Sequence, residues 1–473
     1  MFRSLKFFLV SFFVLLVGCQ GAKQERVSSL PTSVLPYYQS EISMPTYDNL
    51  LTETKKPIVR VGMLLPLSGK SASVGEELRN AGLLAQFDGA SDNFVLQFYD
   101  TQGTDEGAKE AFHQAVANNV HVIIGPVFAQ EVQAVRRMAR RKGVPVLSFT
   151  SDTDVVENGV YTLALSLAEQ TQRAIRHACE SGKMRLAILA PDNKAGDIAI
   201  EEAEKTASLC GMEVVKKSVY NPTYINFEPY VLSVLPESFA ERKDSDREQE
   251  ETETDTETET ELSVAEQLDF DVLFIADSGN RLKAIASLFA LYDVNPDEVM
   301  FVGMYSWQEK SVSTENALKN AVYSSLPTDK FDNWFVPKYK EVYGKKPMRL
   351  ASLAYDGVAL ASALSQRWGI SKETLTDPMG FEGVDGLFRL NENGFSERLM
   401  GMSQIVGRNQ FRVIKAPAVD FEAEALKKAE LESIRQANEL YREKQAEMMV
   451  SETETDTDSD TETMIDSFLP KAE

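Results

Sequence analysis

Three cysteines, three histidines and a large excess of acids are the residues of this 473-residue chain whose types could do chemistry. Nucleophilic catalysis needs a serine or cysteine beside a histidine base, and a hydrolytic zinc site needs histidines at set spacings. His113, His121 and His177 are scattered, two of them beside a helix or strand pattern, and no Ser-x-x-Lys, Lys-Thr-Gly, Gly-x-Ser-x-Gly, His-Glu-x-x-His or phosphate-loop motif occurs. The expectation is a non-enzymatic protein without metal or cofactor. Asp456, Asp458 and Asp460 have the spacing that opens an EF-hand loop, but Thr461 replaces the sharp-turn glycine and Ser467 the bidentate glutamate, so a solvated acidic tail is expected. Cys179 and Cys210 each sit near the end of a helical pattern flanking the apolar run Leu186 to Leu189. Two outcomes are open for them: a bridge, or two small buried side chains, the latter if their Cα atoms lie more than about 7 Å apart.

The third cysteine has a different setting. Arg3 and Lys6 precede an apolar run from Phe7 to Val17, too short to span a bilayer but suited to a signal peptide, and the run ends in Leu16-Val17-Gly18-Cys19. This resembles the lipobox of bacterial lipoproteins, which implies cleavage after residue 18 and acylation of Cys19. Two or three acyl chains on one cysteine hold a protein on a membrane essentially permanently. Gln20 follows, where an Asp in enterobacterial lipoproteins signals inner-membrane retention, so the resemblance favours the outer membrane, facing the periplasm. Residues 19–57 are rich in Ser, Thr, Pro and Gln and read as a tether stiffened by its prolines.

The chain carries 49 Lys+Arg against 72 Asp+Glu, and no basic stripe follows the first residues, which argues against nucleic acid. The charge is concentrated: Glu237 to Glu261 holds 12 acids and 3 bases, and Ser451 to Glu473 holds 8 acids and 1 base. Both stretches lack the apolar residues to repay folding entropy, so an acidic disordered insertion at 237–269 and a disordered tail at 450–473 are expected. Residues 421–449 are rich in Ala, Glu, Lys and Leu and predict a helix, whose stripe of Leu426, Ala429, Ala437 and Leu440 breaks heptad register. A docked or projecting helix is favoured there over a coiled coil.

Between these segments strand and helix patterns alternate. Continuous apolar runs at Ile58 to Leu65, Phe94 to Tyr99, Val120 to Ile124 and Val144 to Ser148 predict strands buried on both faces. Helical patterns separate them, with Thr104 placed as an N-cap and Gly143 as a left-handed C-cap. The same alternation restarts at Leu186 to Leu189 and continues through Met212 to Val219, Asp271 to Ile275 and Val299 to Val302. Right-handed crossovers then give an α/β chain of two lobes, each a doubly wound parallel sheet.

The runs Val59-Arg60-Val61-Gly62-Met63-Leu64-Leu65-Pro66-Leu67-Ser68-Gly69, Asp100-Thr101, Ile123-Ile124-Gly125-Pro126, Val144 to Phe149, Tyr355-Asp356-Gly357 and Gly380 to Gly386 resemble type I periplasmic binding proteins of the leucine/isoleucine/valine class. With the lipobox, the chain is most similar to outer-membrane lipoprotein activators of penicillin-binding proteins. The resemblance implies three crossings between the lobes, near Ser148 to Asp154, Met304 to Trp307 and Met400, so that lobe 1 is 58–149 plus 305–400 and lobe 2 is 150–304 plus 401–416. It also implies a cleft between the lobes, with Ser68, Gly69, Phe128, Ala129, Thr150, Ser151, Asp192, Ser278 and Tyr305 as its candidate lining. Amino-acid binders usually place a hydroxyl at the helix start after the third strand, where this chain has Phe128-Ala129. The expected function is therefore contact with a peptidoglycan synthase (a penicillin-binding protein). The alternative is a periplasmic receptor for a branched-chain-amino-acid-like solute.

Overall fold

The computed structural model describes residues 57–239, 263–367 and 369–430, with scattered positions between 432 and 444. The lipobox with Cys19, the tether, most of the acidic insertion and the tail lie outside the described residues.

Lobe 1 is built on β1 (Val59–Leu65), β2 (Phe94–Asp100), β3 (Val122–Ile124), β4 (Val146–Ser148) and β5 (Val160–Thr162), all parallel in the order β2-β1-β3-β4-β5. Helices α1 (Ala72–Gly89), α2 (Asp105–Ala117) and α3 (Ala129–Lys142) cover its faces. Val61, Met63, Leu64 and Leu65 are fully buried, as a central parallel strand requires. Thr104 Oγ1 accepts the Gly107 N–H at 3.1 Å, and Gly143 closes α3 at φ +67°. Lobe 2 carries β6 (Arg185–Pro191), β7 (Glu213–Tyr220), β8 (Val272–Ile275), β9 (Met300–Gly303) and β10 (Val322–Ser325), with helices α4 (Leu167–Glu180), α5 (Lys194–Leu209) and α6 (Gly279–Leu291). Helix α7 (Ala351–Arg367) returns to lobe 1 and packs along α1. A small antiparallel sheet follows, β11 (Phe381–Gly383), β12 (Gly386–Leu390) and β13 (Ser396–Arg398). Then β14 (Gly401–Gly407) and β15 (Gln410–Lys415) rejoin lobe 2, whose sheet runs β15-β14-β10-β9-β8-β6-β7.

Four expectations are corrected. The first crossing follows β5, because Val146 to Ser148 pair with Val160 to Thr162 and keep that strand in lobe 1. The second follows β10, because Val322 and Tyr323 pair with β9 in lobe 2, so residues 305–325 do not belong to lobe 1. The sheet of lobe 2 is mixed, since β14 pairs antiparallel with β10 and β15 with β14. The acidic insertion is shorter than 237–269, because Phe239 and Leu268 are buried in the core of lobe 2. The third crossing lies at Leu399–Met400, between β13 and β14.

The helices that follow the first strand of each lobe, α1 after β1 and α5 after β6, start by one device. Gly75 and Gly196 lie in the opening turns of α1 and α5, where a Cβ would stand 2.1 Å from the Pro66 carbonyl oxygen and 1.9 Å from that of Pro191. Only glycine lets each helix close on the end of its strand. Cys179 at the end of α4 and Cys210 just past α5 are joined as a disulfide, their Cα atoms 6.3 Å apart.

Candidate binding cleft

In a parallel sheet the loops that follow the strands, and the helix N-termini they lead into, all lie at one edge. The nine candidate residues occupy these positions: Ser68 and Gly69 after β1, Phe128 and Ala129 after β3, Thr150 and Ser151 after β4, Asp192 after β6, Ser278 after β8, and Tyr305 after β9. The two edges meet. Lys194, at the start of α5, places its Nζ 2.8 Å from Asp152 Oδ1 and 2.6 Å from Asp154 Oδ2, both in the loop beyond Ser151. These hydrogen bonds hold the ammonium pKa above its ordinary value.

Free backbone N–H groups at such an edge would make it an anion site. Here the chain's own carboxylates take several of them. Asp100 Oδ1 accepts the N–H groups of Leu67, Ser68 and Gln102 at 2.9, 3.1 and 2.8 Å. Slight burial works to raise the Asp100 pKa, and the hydrogen bonds from Ser68, Gln102 and Leu67 outweigh it and hold the group below the usual range. Glu131, fully buried in the first turn of α3, turns Oε2 back to the Phe128 N–H at 3.0 Å, and burial pushes its pKa up. The methyl of Ala129 can donate nothing. Asp277 Oδ1 accepts the Ser278 N–H at 2.6 Å, and the same carboxylate binds Arg281 at 2.7 and 3.0 Å and the Tyr220 hydroxyl.

The remaining candidates are partly committed as well. The Asp192 N–H donates to the Tyr220 carbonyl at 2.7 Å, and buried Thr150 accepts the Asp152 N–H at its Oγ1 at 3.1 Å. Ser151 is exposed, and the Ser278 side chain caps nothing despite its N-cap position. Tyr305 donates its N–H to Gln170 Oε1 at 3.2 Å and lines a cavity of about 340 Å³ where the second crossing leaves lobe 2. Phe331 and Arg349 also line it, the Arg349 guanidinium 3.8 Å from the Phe331 ring centroid and paired with Asp385 at 2.5 Å. The other eight candidates are not in the lining of that cavity.

The residues that decide the electrostatics, Asp100, Glu131, Asp277 and Lys194, were not singled out from the sequence as lining. Two had a readable signal: Glu131 stands three positions after the residue preceding α3, where an acid caps a helix, and Asp277 is four before Arg281. Among the described residues no group of three or more His, Cys, Asp or Glu is placed to hold a metal ion.

Residues 58–239 match the family model described as periplasmic binding protein. Among solved structures, a putative branched-chain amino acid ABC transporter from Rhodospirillum rubrum superposes with a TM-score of 0.62 at 17% identity, covering 76% of this chain and 100% of that one. An ABC transporter substrate-binding protein from Sphaerobacter thermophilus gives 0.56 at 18% identity, covering 76% and 98%. Among curated proteins, the penicillin-binding protein activator LpoA of Vibrio cholerae serotype O1 is 25% identical over 159 residues, 33% of this chain and 26% of that one. LpoA of Photobacterium profundum is 26% identical over 168 residues, 35% and 27%. The match thus spans about a quarter of the length of these curated relatives. At these identities the structural likeness establishes the architecture, two lobes with a cleft at facing sheet edges: the chain has the periplasmic-binding-protein fold, and its residues 58–239 match the family of that name.

Proposed function

We propose that this chain is a lipid-anchored periplasmic protein of the outer membrane that binds a penicillin-binding protein and activates it by contact, without catalysis of its own. The observation that carries the reading is the occupancy of the cleft's donors: Asp100, Glu131 and Asp277 take the N–H groups after β1, β3 and β8 that a free carboxylate ligand would need. An anion lacking one charge-assisted hydrogen bond loses about 1.5 to 3 kcal/mol, and fixed carboxylates beside the site add repulsion. The resemblance to LpoA over residues shared with that activator supports the choice of partner class, and the lipobox at Cys19 the location.

The test is calorimetry of the purified chain against free amino acids and peptidoglycan fragments, alongside binding to periplasmic penicillin-binding proteins. The expected result is no amino-acid binding tighter than about millimolar, with saturable contact to a synthase. Micromolar binding of an amino acid with no synthase contact would make the chain a solute receptor.

A further inference from the structure

Residues 421–430 form a helix, α8, whose one face touches both lobes beside the third crossing. Phe421 is 4% exposed, with the Arg389 guanidinium of β12 4.3 Å from its ring centroid. A Cβ on Gly380 would stand 2.7 Å from the Phe421 ring, so the seat on the small sheet of lobe 1 is closely fitted. One turn on, Glu424 Oε1 lies 2.6 Å from Arg176 Nη1 of α4 in lobe 2, the two side chains only 14% and 9% exposed. Another turn on, Lys428 Nζ lies 2.7 Å from Glu397 Oε1 of β13, which belongs again to the sheet on lobe 1. Positions 421, 424 and 428 share one helical face, so a single face alternates lobe 1, lobe 2, lobe 1.

We infer that α8 is a strap that fixes the angle between the lobes. A shift of about 1 Å carries a 2.6 Å ion pair out of hydrogen-bonding range. Lobe opening about the Leu399–Met400 crossing therefore has to break either the Glu424–Arg176 pair or the Phe421 and Lys428 seats. Breaking the first strands two charges in a largely buried place, and breaking the second exposes an aromatic ring. The strap is separate from the Lys194 contact at the mouth, whose ammonium is half exposed and screened by salt.

The test uses the full chain with nitroxide labels introduced as unnatural residues at Lys70 and Tyr224, exposed positions beyond β1 and β7 on the two lobes. Pulsed electron resonance of the unaltered strap should give one narrow distance distribution. The combined variant Phe421→Ala, Glu424→Lys, Lys428→Glu removes the ring and sets like charges against Arg176 and Glu397, and should add a longer-distance population amounting to at least a fifth of the molecules. The exchange Arg176→Glu with Glu424→Arg should restore the single narrow distribution that Glu424→Lys alone broadens. An unchanged distribution in the combined variant, with a cooperative melt retained, overturns the strap. If that variant does not fold, an unchanged distribution in Glu424→Lys does so. The readout is lobe geometry alone, so its failure leaves the synthase-contact reading standing, and the reverse also holds.

Discussion

Replacing Asp356 with alanine is expected to destabilise the chain by about 3 to 5 kcal/mol near pH 4, since a buried amide left without its acceptor costs about 1 to 3 kcal/mol and a buried charged group more. Asp356 on α7 and Arg398 on β13 have side chains 2% and 1% exposed, with a separation of 4.0 Å. Arg398 also donates from Nη2 to the Leu163 carbonyl at 3.0 Å and lies 4.7 Å from the Phe388 ring centroid. Asp356 Oδ1 accepts the Val384 N–H at 2.7 Å, so alanine would orphan both a guanidinium and a buried amide. Nearby, Asp385 Oδ2 accepts the Ser352 hydroxyl at 2.6 Å, so the helix and the β11–β12 turn are joined by two carboxylates. Burial, aided by the charge of Asp385 and opposed by Arg398, pushes the Asp356 pKa up to about 7. A carboxyl whose folded pKa lies above its unfolded value binds more protons in the native state between the two values, and stability falls as pH rises through that window. Glu169, raised to about 7 first by burial, acts in the same direction, while accepting the Arg398 N–H at 3.1 Å. The deficit of Asp356→Ala should therefore be largest near pH 4 and shrink towards pH 7. Urea unfolding of both proteins at pH 4.5, 6 and 7.5 checks this, and a loss below about 1 kcal/mol at every pH, or a deficit that grows with pH, would contradict it.

Removing the Cys179–Cys210 bridge is expected to cost about 3 to 4 kcal/mol, the loop-closure value for a separation of 31 residues. The bridge clamps α4 to α5 over a face of the lobe 2 sheet where the packing residues are small: Ala174, Ala178, Ala199, Ala203 and Ala207 are all fully buried. Alanine helices approach closely but bury little area per residue, so the clamp supplies a large share of what holds this pair down. Cys179→Ser, Cys210→Ser and the double variant should lose the same amount, and reductant should lower the wild-type midpoint to theirs while leaving the double variant unmoved. A wild-type midpoint indifferent to reductant would refute the expectation, as would single variants much less stable than the double.

Much of the architecture follows from local physics alone. The long apolar runs of β1 and β6 specify parallel strands because burial on both faces leaves no polar alternation, and Thr104 and Gly143 mark helix ends because their backbone groups are satisfied within three or four residues. The nine candidates come from the resemblance to the binding-protein class, and the order of elements puts them in the loops that follow the strands. Sheet membership of the short strands does not follow from local physics: β5 is three residues and β10 four, too brief for a period, and their place is set by pairing with β4 and with β9 and β14. The docked face of α8 is likewise decided by tertiary structure. A docked or projecting helix is expected there, with an apolar stripe through Leu426; Leu426 is 67% exposed and the docked face is Phe421, Glu424 and Lys428. A charge is buried only where its counter-charge waits, and Arg176 and Glu397 are brought beneath α8 by two separate lobes. So too with the cleft: which N–H groups remain free depends on where Asp100, Glu131 and Asp277 point, and hydrogen-bond geometry at 3 Å is a property of the packed backbone, to which residue type and spacing contribute only the candidates.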